Sequence, residues 1–164
     1  MKKLIKYSLF GLIYLFIIFI LAIIFLKEAD AKIIKPNNGI EPYQVIKIVL
    51  RGLKNNDIPK KNNGIEQTWE FAHPNNQKYT GPLEKFIVML KGQSYKMLLN
   101  HLEHKITEIE LTNSIASYEV TVLGINKKYY KFNWQVEKYR KDGPLKGCWL
   151  TTMVSAPITL GSSI

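Results

Sequence analysis

The sequence predicts an α+β domain that follows an N-terminal transmembrane helix. Three observations support this prediction: residues 7–26 carry no charge, apolar residues recur at steps of three and four over residues 45–53, and apolar and polar residues alternate at 118–122 and 130–137. Steps of three and four are typical of an amphipathic helix, and the alternation of apolar and polar residues is typical of an antiparallel strand with one buried face. Helices followed by strands are the element order of an α+β domain with helices on one sheet face.

Composition places the chain among globular proteins. It has 164 residues, of which 46% are hydrophobic and 22% charged, which argues against a disordered chain. The single cysteine, Cys148, excludes an internal disulfide framework and every zinc site that needs paired cysteines. Lys and Arg total 23 against 13 Asp and Glu, so the formal net charge is +10, and Arg51 and Arg140 are the two arginines.

Residues 1–31 are predicted to be a membrane anchor or a signal peptide. Twenty helical residues at about 1.5 Å each span about 30 Å, the thickness of a hydrocarbon core. Ala29-Asp30-Ala31 has the small-x-small pattern of a signal-peptidase site. Cleaved signals have apolar regions of only ~7–15 residues, so the uncleaved anchor is the favoured alternative. We therefore expect a single-pass membrane protein, in contact with the lipid bilayer, whose soluble domain lies on the non-cytoplasmic side.

About three helices are predicted after a polar linker at residues 32–41. Pro42 suits the first position of the first helix, which ends at Asn55-Asn56-Asp57. A second, short helix is stopped at His73-Pro74, because the residue before a proline avoids the helical region. Thr80-Gly81-Pro82 opens the third helix, whose apolar face is made by Leu83, Phe86, Ile87 and Leu90.

Strands are predicted where the period of the sequence changes to two. Alternation is clear at 118–122 and 130–137 and weaker at 148–154, and the segments between these strands have hairpin-loop composition. Residues 42–154 are therefore predicted to form the folded domain, and residues 155–164 a C-terminal tail. An antiparallel sheet of four or more strands is expected.

Several short motifs of the chain resemble a known family. They are Pro42-x-x-Val45, Asn56-Asp57-x-Pro59, Gly64-Ile65, Trp69-x-Phe71-Ala72-x-Pro74, Thr80-Gly81-Pro82, Phe86, Tyr95, Leu98-Leu99, His101 and Gly147-Cys148-Trp149-Leu150. Over residues 42–154 the chain resembles an uncharacterised family of cyanobacteria, algae and plants that is related to nuclear transport factor 2. The resemblance implies a cone, in which helices pack into the concave side of a strongly curved sheet. It implies no activity.

Candidate acids and bases are few. Related cones host isomerases and dehydratases that use an Asp or a His, so Asp57, His73 and His101 are the catalytic candidates. A structural role is the favoured interpretation of each, as a turn residue, a cap or a surface side chain. His101 and His104 lie three residues apart beside Glu103, but two histidines without a third ligand predict no metal site. No cofactor motif is found, and we predict no cofactor.

The sequence favours a binding function over catalysis. We expect a non-enzymatic, membrane-tethered domain that binds a partner protein or a small apolar ligand at the membrane surface. The alternative is a cone-pocket enzyme, such as an isomerase, dehydratase or cyclase acting on a small molecule. Aromatic residues among lysines at 127–139 resemble a nucleic-acid platform, but their core-facing register predicts no nucleic-acid binding. The expected pocket wall consists of Tyr118, Val120, Tyr130, Phe132 and Trp134.

Overall fold

The computed structural model describes Phe16 and residues 32–162. The chain divides into two units, residues 1–32 and 33–164, and the second unit has an α+β fold. Its described helices are α1 (Pro42–Lys54), α2 (Asn63–Glu70), α3 (Pro74–Thr80), α4 (Leu83–Lys91) and a 3₁₀ helix (Lys96–Leu98). Its described strands are β1 (Glu103–Leu111), β2 (Ile115–Leu123), β3 (Lys128–Lys138), β4 (Trp149–Val154) and β5 (Ile158–Ser162).

The prediction of a transmembrane helix needs correction. The segment that it concerns, residues 7–26, lies outside the described residues except for Phe16. Among the helices of the described residues, none is long and apolar enough to cross a membrane. The longest of them, α1, has 13 residues and is about 20 Å long, against about 30 Å for a hydrocarbon core. The transmembrane helix, the signal-anchor assignment and the single-pass membrane localisation are contradicted by this finding.

α1 is an amphipathic helix with a fully buried apolar stripe. Pro42 occupies the first helical turn, and the backbone N–H of Glu41 donates to Oε1 of Gln44 (3.0 Å), which completes a capping box. Five apolar side chains of the helix are fully buried: Val45, Ile46, Val49, Leu50 and Leu53. Burial of each stabilises the fold by roughly 1.5–3 kcal/mol relative to exposure, so this stripe anchors the helix to the core.

α2 crosses the end of α1 at close range because both helices present glycine. A Cβ atom at Gly64 would collide with the carbonyl group of Gly52 and lie 2.9 Å from the Cα of Asn56. The Gly64 carbonyl accepts a hydrogen bond from Oγ1 of Thr68 (2.8 Å). Glycine at this position lets the two backbones approach each other directly.

Two residues of the predicted linker, Ile34 and Lys35, are bonded to α2. Gln67, on α2, exchanges two hydrogen bonds of 2.8 Å with the backbone N–H and C=O of Ile34. Lys35 forms an ion pair of 2.6 Å with Glu70. These contacts hold this part of the linker against the helix.

α3 begins where the sequence predicted only a helix stop. His73 is extended (φ −57°, ψ 141°), as expected before a proline, and Pro74 then occupies the first turn of α3. Nδ1 of His73 accepts from the backbone N–H of Asn75 (3.1 Å) and caps the helix. The pair His73-Pro74 therefore ends one helix and starts the next, which raises the number of described α-helices to four.

The sheet is antiparallel throughout. Its order is β1-β2-β3-β4, and β5 also pairs with β3. β4 pairs with residues 134–138 of β3 and β5 with residues 128–131, so the two strands follow each other along one edge of β3. Register shifts place one extra residue in β1 (Ile109), in β4 (Thr152) and in β5 (Leu160), and such bulges bend a strand and increase its twist. β5 lies in the segment that was predicted to be a C-terminal tail.

The core lies between the helices and one face of the sheet. Even-numbered residues of β2 and β3 form its sheet side, and side chains of α1, α2 and α4 form its helix side. Trp134 and Tyr118 are its largest fully buried side chains, each 1% exposed, and they are direct partners across β2 and β3. The alternation of apolar and polar residues along β2 and β3 thus indicates which face of the sheet the helices cover.

Candidate functional site

Asp57 is the centre of a hydrogen-bonded loop between α1 and α2. Its Oδ1 accepts from the backbone N–H of Asn62 (2.9 Å) and from Nδ2 of Asn56 (2.9 Å), and its Oδ2 accepts from Nδ2 of Asn100 (3.1 Å). These bonds, above all the one from the Asn62 backbone, hold the pKa of Asp57 below its usual range. A carboxylate stabilised in this way is a weak base. Its hydrogen bonds give Asp57 a structural role in holding the loop together.

Asn56, which is 1% exposed, connects this loop to the core, and Asn100 connects it to the entry of β1. The backbone N–H of Asn56 donates to Oδ1 of Asn100 (3.1 Å), and Oδ1 of Asn56 accepts from the backbone N–H of Ile65 (3.1 Å). The backbone N–H of Asn100 donates to the Leu53 carbonyl (2.8 Å). The network joins the end of α1, the start of α2 and the entry to β1.

His101 and His104 form a hydrogen-bonded pair. Nδ1 of His101 lies 2.7 Å from the Leu98 carbonyl, and its Nε2 lies 2.7 Å from Nδ1 of His104. Because a carbonyl only accepts, Nδ1 of His101 carries the proton, and Nε2 accepts from Nδ1–H of His104. His101 is 1% exposed, and burial lowers its pKa to about 4. Burial lowers the pKa of His104 as well, so the neutral form of both rings is favoured at pH 7.

His73 follows α2 in the sequence, whereas Asp57 precedes it, and His73 caps the start of α3. Its ring contacts the ring of Tyr139, with centroids 5.4 Å apart. Partial burial lowers its pKa. Among the described hydrogen bonds, none joins any two of Asp57, His73 and His101. No group of three or more His, Cys, Asp or Glu in the described part of the chain is arranged to hold a metal ion.

An apolar cavity of about 280 Å³ opens between the helices and the sheet. We call it the apolar cavity. Its floor is formed by Trp134 and Leu98, one side by Phe86, Met89 and Leu90 of the helical layer, and the other by β4. The remaining lining residues are Leu53, Thr68, Ala72, Asn76, Tyr79, Thr80, Tyr95, Thr151, Thr152, Met153 and Val154.

Most polar groups around the apolar cavity are already bonded within the protein. Nδ2 of Asn76 donates to the carbonyls of Thr151 (3.1 Å) and Thr152 (2.8 Å), which ties α3 to β4. The Tyr95 hydroxyl donates to the Val154 carbonyl (3.3 Å), and Nε1 of Trp134 donates to Oγ1 of Thr151 (3.2 Å). Among the described lining residues there is no carboxylate, imidazole, ammonium or thiol.

The residues expected to form the pocket wall take two different positions. Trp134 lines the apolar cavity. Tyr118, Val120, Tyr130 and Phe132 belong to the buried core. The Tyr118 hydroxyl has no hydrogen-bond partner among the described groups, and burial, with the nearby Glu108 carboxylate, raises its pKa to about 12. These four large side chains fill the centre of the domain and leave the cavity to one side of it.

Asn76, Tyr95 and Met89 line the apolar cavity without having been predicted as site residues. Asn76 lies two residues after the predicted helix stop His73-Pro74, and Met89 lies directly before Leu90, the last residue of the predicted apolar face of the third helix. No local pattern distinguishes such residues, since the cavity forms only when α3, α4 and β4 meet.

Comparison of the chain with known protein families, curated proteins and solved structures gave no match. The resemblance to the family related to nuclear transport factor 2 therefore stays a prediction.

Proposed function

We propose that this protein is a non-enzymatic binding domain that holds a small, mainly apolar ligand in the apolar cavity. The observation that carries the proposal is the chemistry of the lining. Side chains such as Phe86, Met89, Leu90 and Trp134 supply apolar surface, and the polar groups among them mostly bond to the protein itself. Cavities lined in this way retain ligands through burial of apolar area.

The size of the cavity favours a small molecule over a partner protein. Ligand pockets typically measure about 300–1,000 Å³, and at about 280 Å³ the cavity is near the lower end. A stable protein interface buries about 1,200–2,000 Å² in total, far more than this opening offers. The ligand is thus smaller than a typical drug.

The rim of the cavity is consistent with an apolar ligand. Tyr79 is 93% exposed and Met153 is 45% exposed, and both line the opening. The Tyr95 hydroxyl, which donates to Val154, keeps lone pairs that accept a hydrogen bond. One hydroxyl or amine on the ligand is therefore compatible with the site.

Binding of the uncharged probe N-phenyl-1-naphthylamine to the full chain tests this proposal. The probe should become fluorescent on saturable binding, and Met89→Trp should abolish the signal because the larger side chain occupies the cavity. Val88→Trp is the matched control: Val88 is the neighbouring residue of α4 and is 71% exposed, so this variant should bind as the parent does. Equal binding by both variants would show that the probe occupies another site, and no binding by the parent would count against the proposal.

A cone-pocket enzyme remains the alternative, although no specific observation favours it. General acid–base catalysis needs an ionisable group within hydrogen-bond reach of the substrate. Asp57 is bonded to three loop groups, and His101 is bonded to Leu98 and His104. Membership of the family related to nuclear transport factor 2 is kept as part of the same proposal, because a helix layer on one face of an antiparallel sheet supports it.

A further inference from the structure

A second cavity, of about 580 Å³, lies where α3 begins and the β3–β4 hairpin leaves the sheet. We call it the basic cleft. The residues that give it its chemistry are His73, Ser114, Lys138, Tyr139, Arg140 and Lys141. It shares Asn76 and Thr152 with the apolar cavity, and the hydrogen bond from Asn76 Nδ2 to the Thr152 carbonyl (2.8 Å) stands between the two.

The basic cleft carries an uncompensated positive charge. Lys138, Arg140 and Lys141 contribute three positive charges and Glu137 one negative charge, so the lining has a net charge of +2. The Glu137 carboxylate already accepts from Nε2 of Gln135 (2.8 Å). The ion pairs of the described residues use other lysines, namely Lys35, Lys60, Lys131 and Lys146.

The cationic side chains of the cleft differ in what holds them. The ammonium of Lys138 lies 5.0 Å from the centroid of the Trp149 ring, a cation–π contact that fixes its position. Arg140 and Lys141 are exposed and have no carboxylate within ion-pair distance in the described part of the chain. Their charges are therefore available to a ligand.

His73 adds a neutral donor to this cationic group. Its Nδ1 accepts from the Asn75 N–H (3.1 Å), so the ring proton resides on Nε2. A ring whose Nδ1 accepts this bond is the neutral form, with Nε2–H as a donor, and burial favours that form by lowering the pKa of His73. No acceptor for that N–H lies within hydrogen-bond distance among the described groups.

Arginine at position 140 is informative because the chain uses lysine almost everywhere else. Of 23 basic residues, Arg51 and Arg140 are the two arginines. A guanidinium presents donors in a planar fork that fits the oxygens of a phosphate or carboxylate, whereas an ammonium acts as a point charge. One of the two guanidinium groups of the chain, that of Arg140, thus lies in the cleft beside Lys141.

We propose that the basic cleft binds the phosphate group of a small phosphate monoester. The charge of +2 matches a phosphate dianion better than a carboxylate, and Arg140, Lys141 and His73 all line the same cleft, so their donors are available to one anionic group. The Tyr139 ring, already in contact with His73, offers an apolar face to the rest of the ligand. Because the cations cluster at one hairpin, the arrangement fits a single phosphate rather than the repeated phosphates of a nucleic-acid strand.

Titration of the full chain with inorganic phosphate, followed by ¹H–¹⁵N NMR at constant ionic strength, tests this proposal. Saturable shifts are expected at backbone amides of residues 73–75 and 137–141. Arg140→Ala should weaken binding about ten- to a hundredfold, the usual effect of losing a charged hydrogen bond. Arg51→Ala is the matched control, since Arg51 is exposed on α1, and it should leave the affinity unchanged.

A second variant separates the His73 donor from the cap that it provides. Asparagine is a good N-cap residue, so His73→Asn should keep α3 while removing Nε2–H, and the phosphate affinity should fall severalfold. Acetate at the same ionic strength should bind more weakly than phosphate.

Three results would overturn the proposal. They are equal affinity of Arg140→Ala and the parent, equal binding of acetate and phosphate, and binding of a single-stranded oligonucleotide to the cleft without binding of phosphate. The Arg140→Ala variant should still bind N-phenyl-1-naphthylamine, so a failure at the cleft is distinguishable from a failure at the apolar cavity.

Discussion

His101 shows how one buried side chain makes the stability of the domain depend on pH. Its Nδ1–H donates to Leu98 and its Nε2 accepts from His104, so both ring nitrogens are used in the neutral form. Protonation of His101 would place its Nε2–H against the Nδ1–H of His104. It would also place a positive charge on a side chain that is only 1% exposed. The pKa of His101 is accordingly lowered from 6.5 to about 4, and burial is the largest cause.

We expect the protein to lose stability as the pH falls below 6.5. Between 6.5 and about 4 the unfolded chain binds a proton at His101 that the folded chain excludes. Stability is therefore complete above 6.5, declines down to the folded pKa and is then constant for this group. The loss is roughly 2 kcal/mol at pH 5 and on the order of 3 kcal/mol at pH 4. The pKa values of His73 and His104 are lowered too, which adds to the same trend.

Urea unfolding at intervals from pH 7 to pH 5 measures this effect, in a range where most carboxylates stay ionised. His101→Gln keeps an amide donor for the Leu98 carbonyl but does not titrate, so its unfolding free energy should vary less with pH. A parent protein whose stability is constant over this range would contradict the prediction.

The residues of the histidine pair were visible in the sequence, but their relation was not. A spacing of three residues predicts proximity, whereas the proton positions depend on the Leu98 carbonyl, which the 3₁₀ helix turns toward His101. Asp57 is a comparable case: its place in a turn follows from the neighbouring asparagines, but its bond to Asn100 joins residues 43 positions apart.

At the scale of elements, the crossing of α1 and α2 requires glycine at position 64, because a side chain there would meet the backbone of α1. Gly64→Ala should destabilise the domain by about 1–3 kcal/mol or more, as overpacking does. The better helix propensity of alanine offsets about 1 kcal/mol of this loss. The new methyl group would meet the Gly52 carbonyl and the Asn56 Cα, which are backbone atoms and cannot rotate away.

Gly52→Ala is the control for this crossing. Its Cβ would approach the side-chain carbons of Gln67 at 3.3 Å, a contact that small shifts relieve, so the loss should be smaller. Thermal or urea unfolding of both variants gives the comparison. Gly64→Ala with the stability of the parent would show that the two helices are further apart than described here.

Prediction of elements from the sequence succeeded where one face is buried. β2 and β3 bury every second residue for most of their length, so their alternation is clear. β1 and β5 lie at sheet edges and are mostly exposed, which removes that pattern. α3 was missed because a proline that ends one helix also suits the first turn of another.

At the scale of the whole molecule, both proposed sites depend on contacts between distant segments. The apolar cavity combines α3, α4 and β4, and the basic cleft combines residues 73–76, 114–115 and 137–141. Sequence patterns report local period and burial but not which segments meet. The α+β class was therefore predictable, whereas of the five expected wall residues only Trp134 lines the apolar cavity, and the basic cleft was not predicted.

Trp134 is the residue through which the whole fold is most directly tested. It is 1% exposed, pairs with Tyr118 on β2 and Val154 on β4, and forms the floor of the apolar cavity. Trp134→Ala should cost about 3–5 kcal/mol, a large share of the roughly 5–15 kcal/mol by which a domain of this kind is stable. Trp134→Phe keeps an aromatic ring but loses the donor to Thr151, and should cost only about 1–2 kcal/mol.

Urea unfolding of the two variants, followed by far-UV circular dichroism so that the signal does not depend on tryptophan, provides the measurement. The order of stability should be parent, Trp134→Phe and Trp134→Ala. Addition of N-phenyl-1-naphthylamine should raise the unfolding midpoint of the parent and of Trp134→Phe, because a ligand that binds only the folded state stabilises it. If Trp134→Ala instead unfolds at the midpoint of the parent, then Trp134 does not join the sheet to the helices, and the cavity cannot have the floor described here.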